Sequence, residues 1–335
     1  MTTVLVTGGA GYVGAVLVPK LLDLGYRVKV LDLYLFGDHV LAAHRDNIAL
    51  EEIKGDIRDQ ALLKRILPGC DAVIHLACIS NDPSFELNPA ISKSINYDAF
   101  DPLVAIAKGS GVGRFIYAST ASVYGVSDSE NVTEEHPLVP LTDYNKYKGL
   151  CEPVLLNYQS DDFSTVIIRP ATVCGYSPRL RLDLSVNILT NLAVNNRKIT
   201  IFGGAQKRPN IHIEDVTDLY VDLLRLPTEL IAGKIFNASY QNHTIAELGE
   251  MVRSAVVNEL PHLAPIVVET TPTNDIRSYH VSSEKIRREL GFIPRRTVTD
   301  AVADLCVAFQ TGKVPNPLDD IRYYNVKTIK ASGLA

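Results

Sequence analysis

Near its start the chain carries three consecutive apolar residues, Val4, Leu5 and Val6, followed by the glycine-rich stretch Thr7-Gly8-Gly9-Ala10-Gly11-Tyr12-Val13-Gly14. A short unbroken apolar run suits a strand buried on both faces, and from Tyr12 to Leu24 the apolar residues recur at helical spacing. A second apolar run, Arg27 to Leu31, ends at Asp32. The alternation continues with strands predicted at Leu50–Ile53, Ala72–Ala77, Arg114–Ala118 and Thr165–Ile168. Short strands alternating with helices argue for an α/β fold, a doubly wound parallel sheet with helices on both faces.

Beyond Val173 that rhythm stops. A helix is predicted from Leu184 to about Asn195, then a turn at Gly203-Gly204, then a helix from Val216 to Leu226 leading into one more strand, Lys234–Ala238. The pattern predicts a first domain of residues 1–173 plus about 215–239. A smaller α/β substrate domain takes 174–214 plus about 240–335, ending in a proline-broken tail.

The glycine stretch changes this outline into a chemical expectation. Glycine is required where backbone must approach phosphates closely, and the N-terminus of the following helix offers free N–H groups to a pyrophosphate. Asp32 lies close to the spacing, about 20 residues on, expected of a carboxylate that holds an adenosine ribose. A carboxylate accepts hydrogen bonds from a 2′-hydroxyl and repels a 2′-phosphate, so the first domain reads as a Rossmann domain for NAD rather than NADP. Ligands of such sheets gather at the carboxyl ends of the strands. Asp56 and Ile57 follow the third strand, Leu76, Ala77 and Cys78 follow the fourth, and Asn96 lies in the next helix. On spacing alone each of these serves equally as a turn or cap residue.

Composition narrows the class. The net charge of −5 gives no chain-wide attraction to nucleic acid or acidic membrane. The local basic cluster Lys285, Arg287, Arg288, Arg295 and Arg296 reads as a solvated face, so no nucleic-acid partner is expected. The 5 cysteines are scattered, with no C-x-x-C pair and no metal-ligand spacing, and read as reduced thiols. No apolar run reaches the length of a membrane span and no leader pattern precedes the first strand. A cytoplasmic protein without bound metal is the expectation.

The fifth strand, Arg114–Ala118, runs into Ser119-Thr120-Ala121-Ser122, which puts hydroxyls at the ligand-binding edge. Later comes Tyr144-Asn145-Lys146-Tyr147-Lys148; on a helix, Tyr144 and Lys148 share a face. Oxidising a sugar alcohol requires a base to take the hydroxyl proton as hydride leaves. A phenol with a free pKa of about 10 needs roughly 4 kcal/mol of help to serve near neutrality. An ammonium about 4 Å away at an effective dielectric near 20 supplies on the order of that amount. Thr120 would donate to the substrate oxygen. Tyr323 and Lys327 repeat the spacing in the tail without a hydroxyl strand before them and read as a structural coincidence.

Glycine turn, Asp32, hydroxyl strand, then Tyr144 and Lys148: this order resembles the extended short-chain dehydrogenase/reductase family, of the NAD-dependent epimerase/dehydratase type, over nearly the whole chain. Gly8, Gly11 and Gly14 fit its G-x-x-G-x-x-G, with Tyr12 and Val13 inside the turn. Asp56-Ile57 fits its adenine contact and His75-Leu76-Ala77 its fourth-strand motif. The resemblance implies that Thr120, Tyr144 and Lys148 are catalytic, with Tyr144 and Lys148 also touching NAD, and that Arg169 packs near the nicotinamide carboxamide. It further implies a GDP-, UDP- or dTDP-linked sugar substrate, bound by Ser80, Thr120, Thr172, Asp183, Asn187, Arg208 and Arg277. The two arginines suit the diphosphate, because forked guanidinium groups match phosphate oxygens. Arg208-Pro209-Asn210 departs from the family's R-D-Y. Dehydratases of the family carry Thr-Asp-Glu where this chain has Thr120-Ala121-Ser122, which disfavours water elimination. The stretch Arg169 to Asn187 resembles a subgroup that includes GDP-heptose 4-dehydrogenases. Two readings, 4-epimerase and 4-dehydrogenase, stay open. Alternatives are a 4,6-dehydratase, a 4-ketoreductase or a non-catalytic NAD(H)-binding module, against which the intact Thr120, Tyr144 and Lys148 argue. The resemblance also implies a homodimer in which helices near Asn96–Lys108 and Tyr144–Asn157 form a four-helix bundle.

Overall fold

A computed structural model describes residues 1–335 except 128, 130, 274–277 and 335. Six strands form first: β1 (Thr3–Thr7), β2 (Arg27–Asp32), β3 (Leu50–Lys54), β4 (Ala72–His75), β5 (Arg114–Ala118) and β6 (Ser164–Pro170). The chain then leaves for β7 (Thr172–Cys174), β8 (Lys198–Phe202) and β9 (Lys207–His212), and returns through the helix Ile213–Arg225 to β10 (Lys234–Ala238). Two more strands follow, β11 (Gln241–Thr244) and β12 (Val267–Thr271). The main sheet has seven strands in the order β10-β6-β5-β4-β1-β2-β3, every neighbouring pair parallel.

Because side chains alternate across a strand, each strand feeds two cores. Val4, Val6, Val30, Ile74, Ile116 and Ile168 pack on one face against helices Gly14–Asp23 and Ile213–Arg225. Leu5, Leu31, Val73, Phe115, Tyr117 and Ile167 pack on the other against helices Gln60–Ile66, Phe100–Gly109 and Asp143–Leu156. A third core joins helices Ser185–Asn196, Ile245–Glu259 and Val298–Gln310 around Val186, Leu248, Val252 and Val302. Beside it lie a three-stranded sheet, β11-β9-β7, and the pair β12-β8.

Two boundaries differ from the sequence pattern for physical reasons. The first helix begins at Gly14 rather than Tyr12, because Gly11 to Val13 are still turning. Asn96 falls in a π-helical segment, Ser94–Asp98, between helices Pro89–Lys93 and Phe100–Gly109. The tail does not stay with the third core. Helix Asn325–Ser332 sends Ile329 into the core under the main sheet. Among the described residues no helix is long and apolar enough to cross a membrane.

Candidate active site

The carboxyl ends of the central strands open into a cleft of about 400 Å³. Its floor is the glycine turn. Gly8 has φ of +74° and packs so closely on the end of β4 that a Cβ there would lie 2.7 Å from the Ala77 nitrogen. A Cβ on Gly14 would lie 2.5 Å from the Gly9 backbone, so the turn can close only without side chains at these points. Gly8, Gly11, Tyr12 and Val13 all line the cleft. Asp32 stands beside them at the end of β2, its carboxylate accepting the Ala10 N–H at 3.0 Å and the Tyr34 N–H at 2.8 Å. Burial raises its pKa above the ordinary carboxylate range, opposed by those N–H groups.

Further walls come from Asp56 and Ile57 after β3 and from Leu76, Ala77, Cys78 and Ser80 after β4. Thr120, Tyr144 and Lys148 line the same cleft, as do Thr172 and Arg208 from the smaller sheet. Thr120 caps the short turn Ala121–Tyr124, and its hydroxyl lies 2.8 Å from the Ser122 hydroxyl. Ser122 donates in turn to Asn145, which bonds Thr142 and Asp82. Helix Asp143–Leu156 is started by Thr142, and its spacing places Tyr144 and Lys148 on one face. The Lys148 ammonium donates to the Ala118 carbonyl and stands 4.7 Å from the centre of the Tyr117 ring.

In the protein without cofactor, burial is the dominant influence on the Tyr144 phenol. Burial holds that phenol well above its usual pKa, helped by Cys78 and Asp82 and opposed by Arg181. The lysine charge is instead directed at Ala118 and Tyr117.

Four expected ligands stand elsewhere. Arg169 is buried in a two-pronged ion pair with Glu152, at 3.0 and 2.6 Å, and donates to the Tyr124 hydroxyl. In β6 it shares the face of Ile167, under the helix that carries Tyr144, and is not on the cleft wall. Asn96 spends its amide on the Ile79 backbone, fixing the loop after β4. Asn187 accepts from Gly175 and donates to the Tyr12 hydroxyl and the Arg181 carbonyl, so it ties the glycine turn to the smaller unit. Asp183 pairs with Arg181; burial draws its pKa up but Arg181 holds it below the ordinary range. Arg277 lies outside the described residues.

Ser122 lines the cleft with the hydroxyl strand, and the structure also brings in residues that spacing did not single out: Asn81, Asp82, Arg179, Arg181, Tyr279 and Asn325. The run Arg179-Leu180-Arg181-Leu182-Asp183 carried a signal, since Leu180 and Leu182 are buried in an apolar cluster and the charged residues alternate with them. Nothing in the tail sequence marked Asn325.

The sequence profile of the NAD dependent epimerase/dehydratase family matches residues 4–239. A UDP-glucose 4-epimerase of Azospirillum brasilense is 26% identical over 327 residues, covering 92% of this chain and 91% of that protein. A dTDP-glucose 4,6-dehydratase of Streptomyces niveus is 26% identical over 317 residues, 90% of each chain. The solved structure of the dTDP-glucose 4,6-dehydratase DesIV from Streptomyces venezuelae, with NAD and TYD bound, superposes with a TM-score of 0.83 at 26% identity, covering 95% of this chain and 100% of that one. The matched span runs from the first strand of the main sheet to its last and takes in both the glycine turn and the helix of Tyr144 and Lys148, so this chain belongs to the NAD dependent epimerase/dehydratase family and is an NAD-dependent enzyme.

Proposed function

We propose that the enzyme oxidises C4 of a nucleotide-linked sugar and acts as a 4-epimerase or a 4-dehydrogenase. The observation that carries this reading is the meeting of Thr120, Tyr144 and Lys148 on the wall of the cleft that also holds the glycine turn and Asp32. When bound, NAD supplies a hydride acceptor and, oxidised, a positive charge in the cleft. Gly8, Gly11, Tyr12, Val13, Asp32, Asp56, Ile57, Leu76, Ala77 and Cys78 would hold it, with Lys148 and Tyr144 at the nicotinamide end. Tyr144 takes the proton of the C4 hydroxyl, and Thr120 holds that oxygen. Lys148 stands on the same helix face as Tyr144.

Dehydratase relatives share the fold, but this chain has Ala121 and Ser122 directly after Thr120, and neither side chain can act as the acid or base of water elimination. Ser122 instead links Thr120 to Asn145. The smaller unit, residues 174–214 and about 240–335, is proposed to take the nucleotide sugar, with Ser80, Thr172, Arg208 and Arg277 as its contacts and the two arginines on the diphosphate. Asp183 and Asn187 serve by positioning Arg181 and Tyr12.

A homodimer is proposed through helices Phe100–Gly109 and Asp143–Leu156, on which Leu150 is 40% exposed. Light scattering at micromolar concentration should report twice the chain mass. The five free thiols suit a reducing cytoplasmic setting.

A screen of GDP-, UDP- and dTDP-sugars by mass and cofactor absorbance identifies the substrate. Deuterium at C4 then separates the outcomes: an epimerase returns it to the inverted C4, whereas a dehydrogenase leaves it on the nicotinamide and releases a 4-keto sugar. No turnover and no reduced cofactor with any sugar would refute the proposal.

A further inference from the structure

Arg179 is 4% exposed, yet among the described residues its Nε and Nη1 have no hydrogen-bond partner. Its remaining nitrogen, Nη2, donates to Asn325. The guanidinium carbon lies 3.6 Å from the centre of the Phe36 ring, and the residue lines the cleft. A buried charged fork with two empty donors is unfavourable unless something accepts from it, so its surroundings are arranged for an acceptor that comes from outside the chain.

Three contacts place that acceptor. Ser177, two residues before Arg179, donates to the Tyr12 carbonyl at 2.8 Å, inside the glycine turn. The Tyr12 hydroxyl donates to the Gly175 carbonyl at 2.7 Å. Phe36 follows Asp32 closely on the loop after β2, so the stacked arginine stands between the ribose-facing carboxylate and the turn that takes a pyrophosphate. Paired N–H donors match phosphate oxygens better than a ribose hydroxyl, and a stacked, planar guanidinium keeps that fork in place. Burial and the neighbouring Arg181 bring the pKa of Arg179 down to about 9, so an arriving anion would stabilise its charge.

We infer that Arg179 reaches over from the smaller unit to bind the pyrophosphate of the dinucleotide, and that Asn325 of the tail is the positioning residue that aims it. Asn325 is itself fixed: its backbone N–H donates to Asp183 at 3.2 Å and its amide to the Ser80 hydroxyl at 2.8 Å. The inference rests on the NAD-binding reading above and adds a ligand to it.

Calorimetric titration of the full-length protein with NAD, ADP and adenosine tests it. Arg179→Met should weaken NAD and ADP at least tenfold and leave adenosine unchanged, while Asn325→Ala should give a smaller loss in the same pattern. Thermal melting checks that both variants are folded; if Arg179→Met is not, Arg179→Lys carries the test and should keep part of the ADP affinity. Failure of the wild-type protein to bind NAD would refute the cofactor reading itself. With wild-type binding intact, the inference is overturned if folded Arg179 variants bind NAD and ADP normally, or lose adenosine equally.

Discussion

Glu152→Gln removes one charge from a deeply buried ion pair between β6 and helix Asp143–Leu156 and separates a structural role for Arg169 from a role at the cofactor. The Glu152 side chain is 3% exposed and that of Arg169 4%. The carboxylate accepts from Arg169 Nε at 3.0 Å, from Nη2 at 2.6 Å and from the Ser119 hydroxyl at 2.6 Å. A glutamine has the same shape but one oxygen fewer, so in either orientation its NH2 group faces the guanidinium, at Nη2 or at Nε beside the Ser119 hydroxyl, and the arginine charge is left without its partner. Breaking a buried pair from one side costs about 3–5 kcal/mol, and the Coulomb attraction of two charges about 4 Å apart at an effective dielectric near 20 is about 4 kcal/mol. The two routes agree. The chain has no tryptophan, so urea unfolding is followed by far-ultraviolet circular dichroism, and NAD affinity is titrated separately. Glu152→Gln should lose about 3–5 kcal/mol of stability. The double variant Arg169→Met with Glu152→Leu should recover most of that loss, because no charge is then stranded. A loss below about 1 kcal/mol would place the pair in the class of weak surface bridges. An Arg169→Met protein of normal stability but weakened NAD binding would return Arg169 to the cofactor site. Either result refutes the structural assignment.

Asp32→Ala should narrow the preference for NAD over NADP, measured by titration with both; equal affinities in the wild type would remove the basis for that preference. Gly8→Ala should abolish dinucleotide binding and destabilise the fold, since φ of +74° costs an alanine about 1–2 kcal/mol and its Cβ would lie 2.7 Å from the Ala77 nitrogen. Arg208→Ala should raise KM for the nucleotide sugar and leave NAD affinity intact. His75 is buried and neutral, its pKa pushed down to about 3 by burial and by Lys148, so the unfolded chain binds the extra proton between about pH 6.5 and pH 3. Stability should therefore fall as pH drops through that window, with His75 contributing up to about 1.4 kcal/mol per pH unit, and His75→Gln should flatten the acid limb of the stability curve.

The main sheet was legible because its strands are buried on both faces and read as unbroken apolar runs. The glycine turn, Asp32, Tyr144 and Lys148 were legible because each sits at a fixed distance from such a run. Arg169 was misplaced since spacing puts it at the end of β6 but cannot say that its side chain follows Ile167 to the helix-covered face. The tail was illegible for another reason. Asn325 meets Ser80 across a sequence separation of 245 residues, and no local pattern encodes such a contact. Spacing supplied an ammonium on the face of Tyr144 but could show neither the burial of the phenol nor the Ala118 carbonyl that holds Lys148.

The central claim is that Tyr144 removes the proton while C4 gives up hydride, and single-turnover absorbance of reduced nicotinamide tests it most directly. NAD-loaded protein is mixed with the nucleotide sugar found in the screen, carrying hydrogen or deuterium at C4. The wild type should develop the reduced-nicotinamide band, more slowly with deuterium. Tyr144→Phe should bind NAD normally and develop almost none, and Tyr323→Phe, whose tyrosine has the same spacing to a lysine, should match the wild type. A band that forms at equal rates with the two isotopes, or that survives in Tyr144→Phe, would contradict the account.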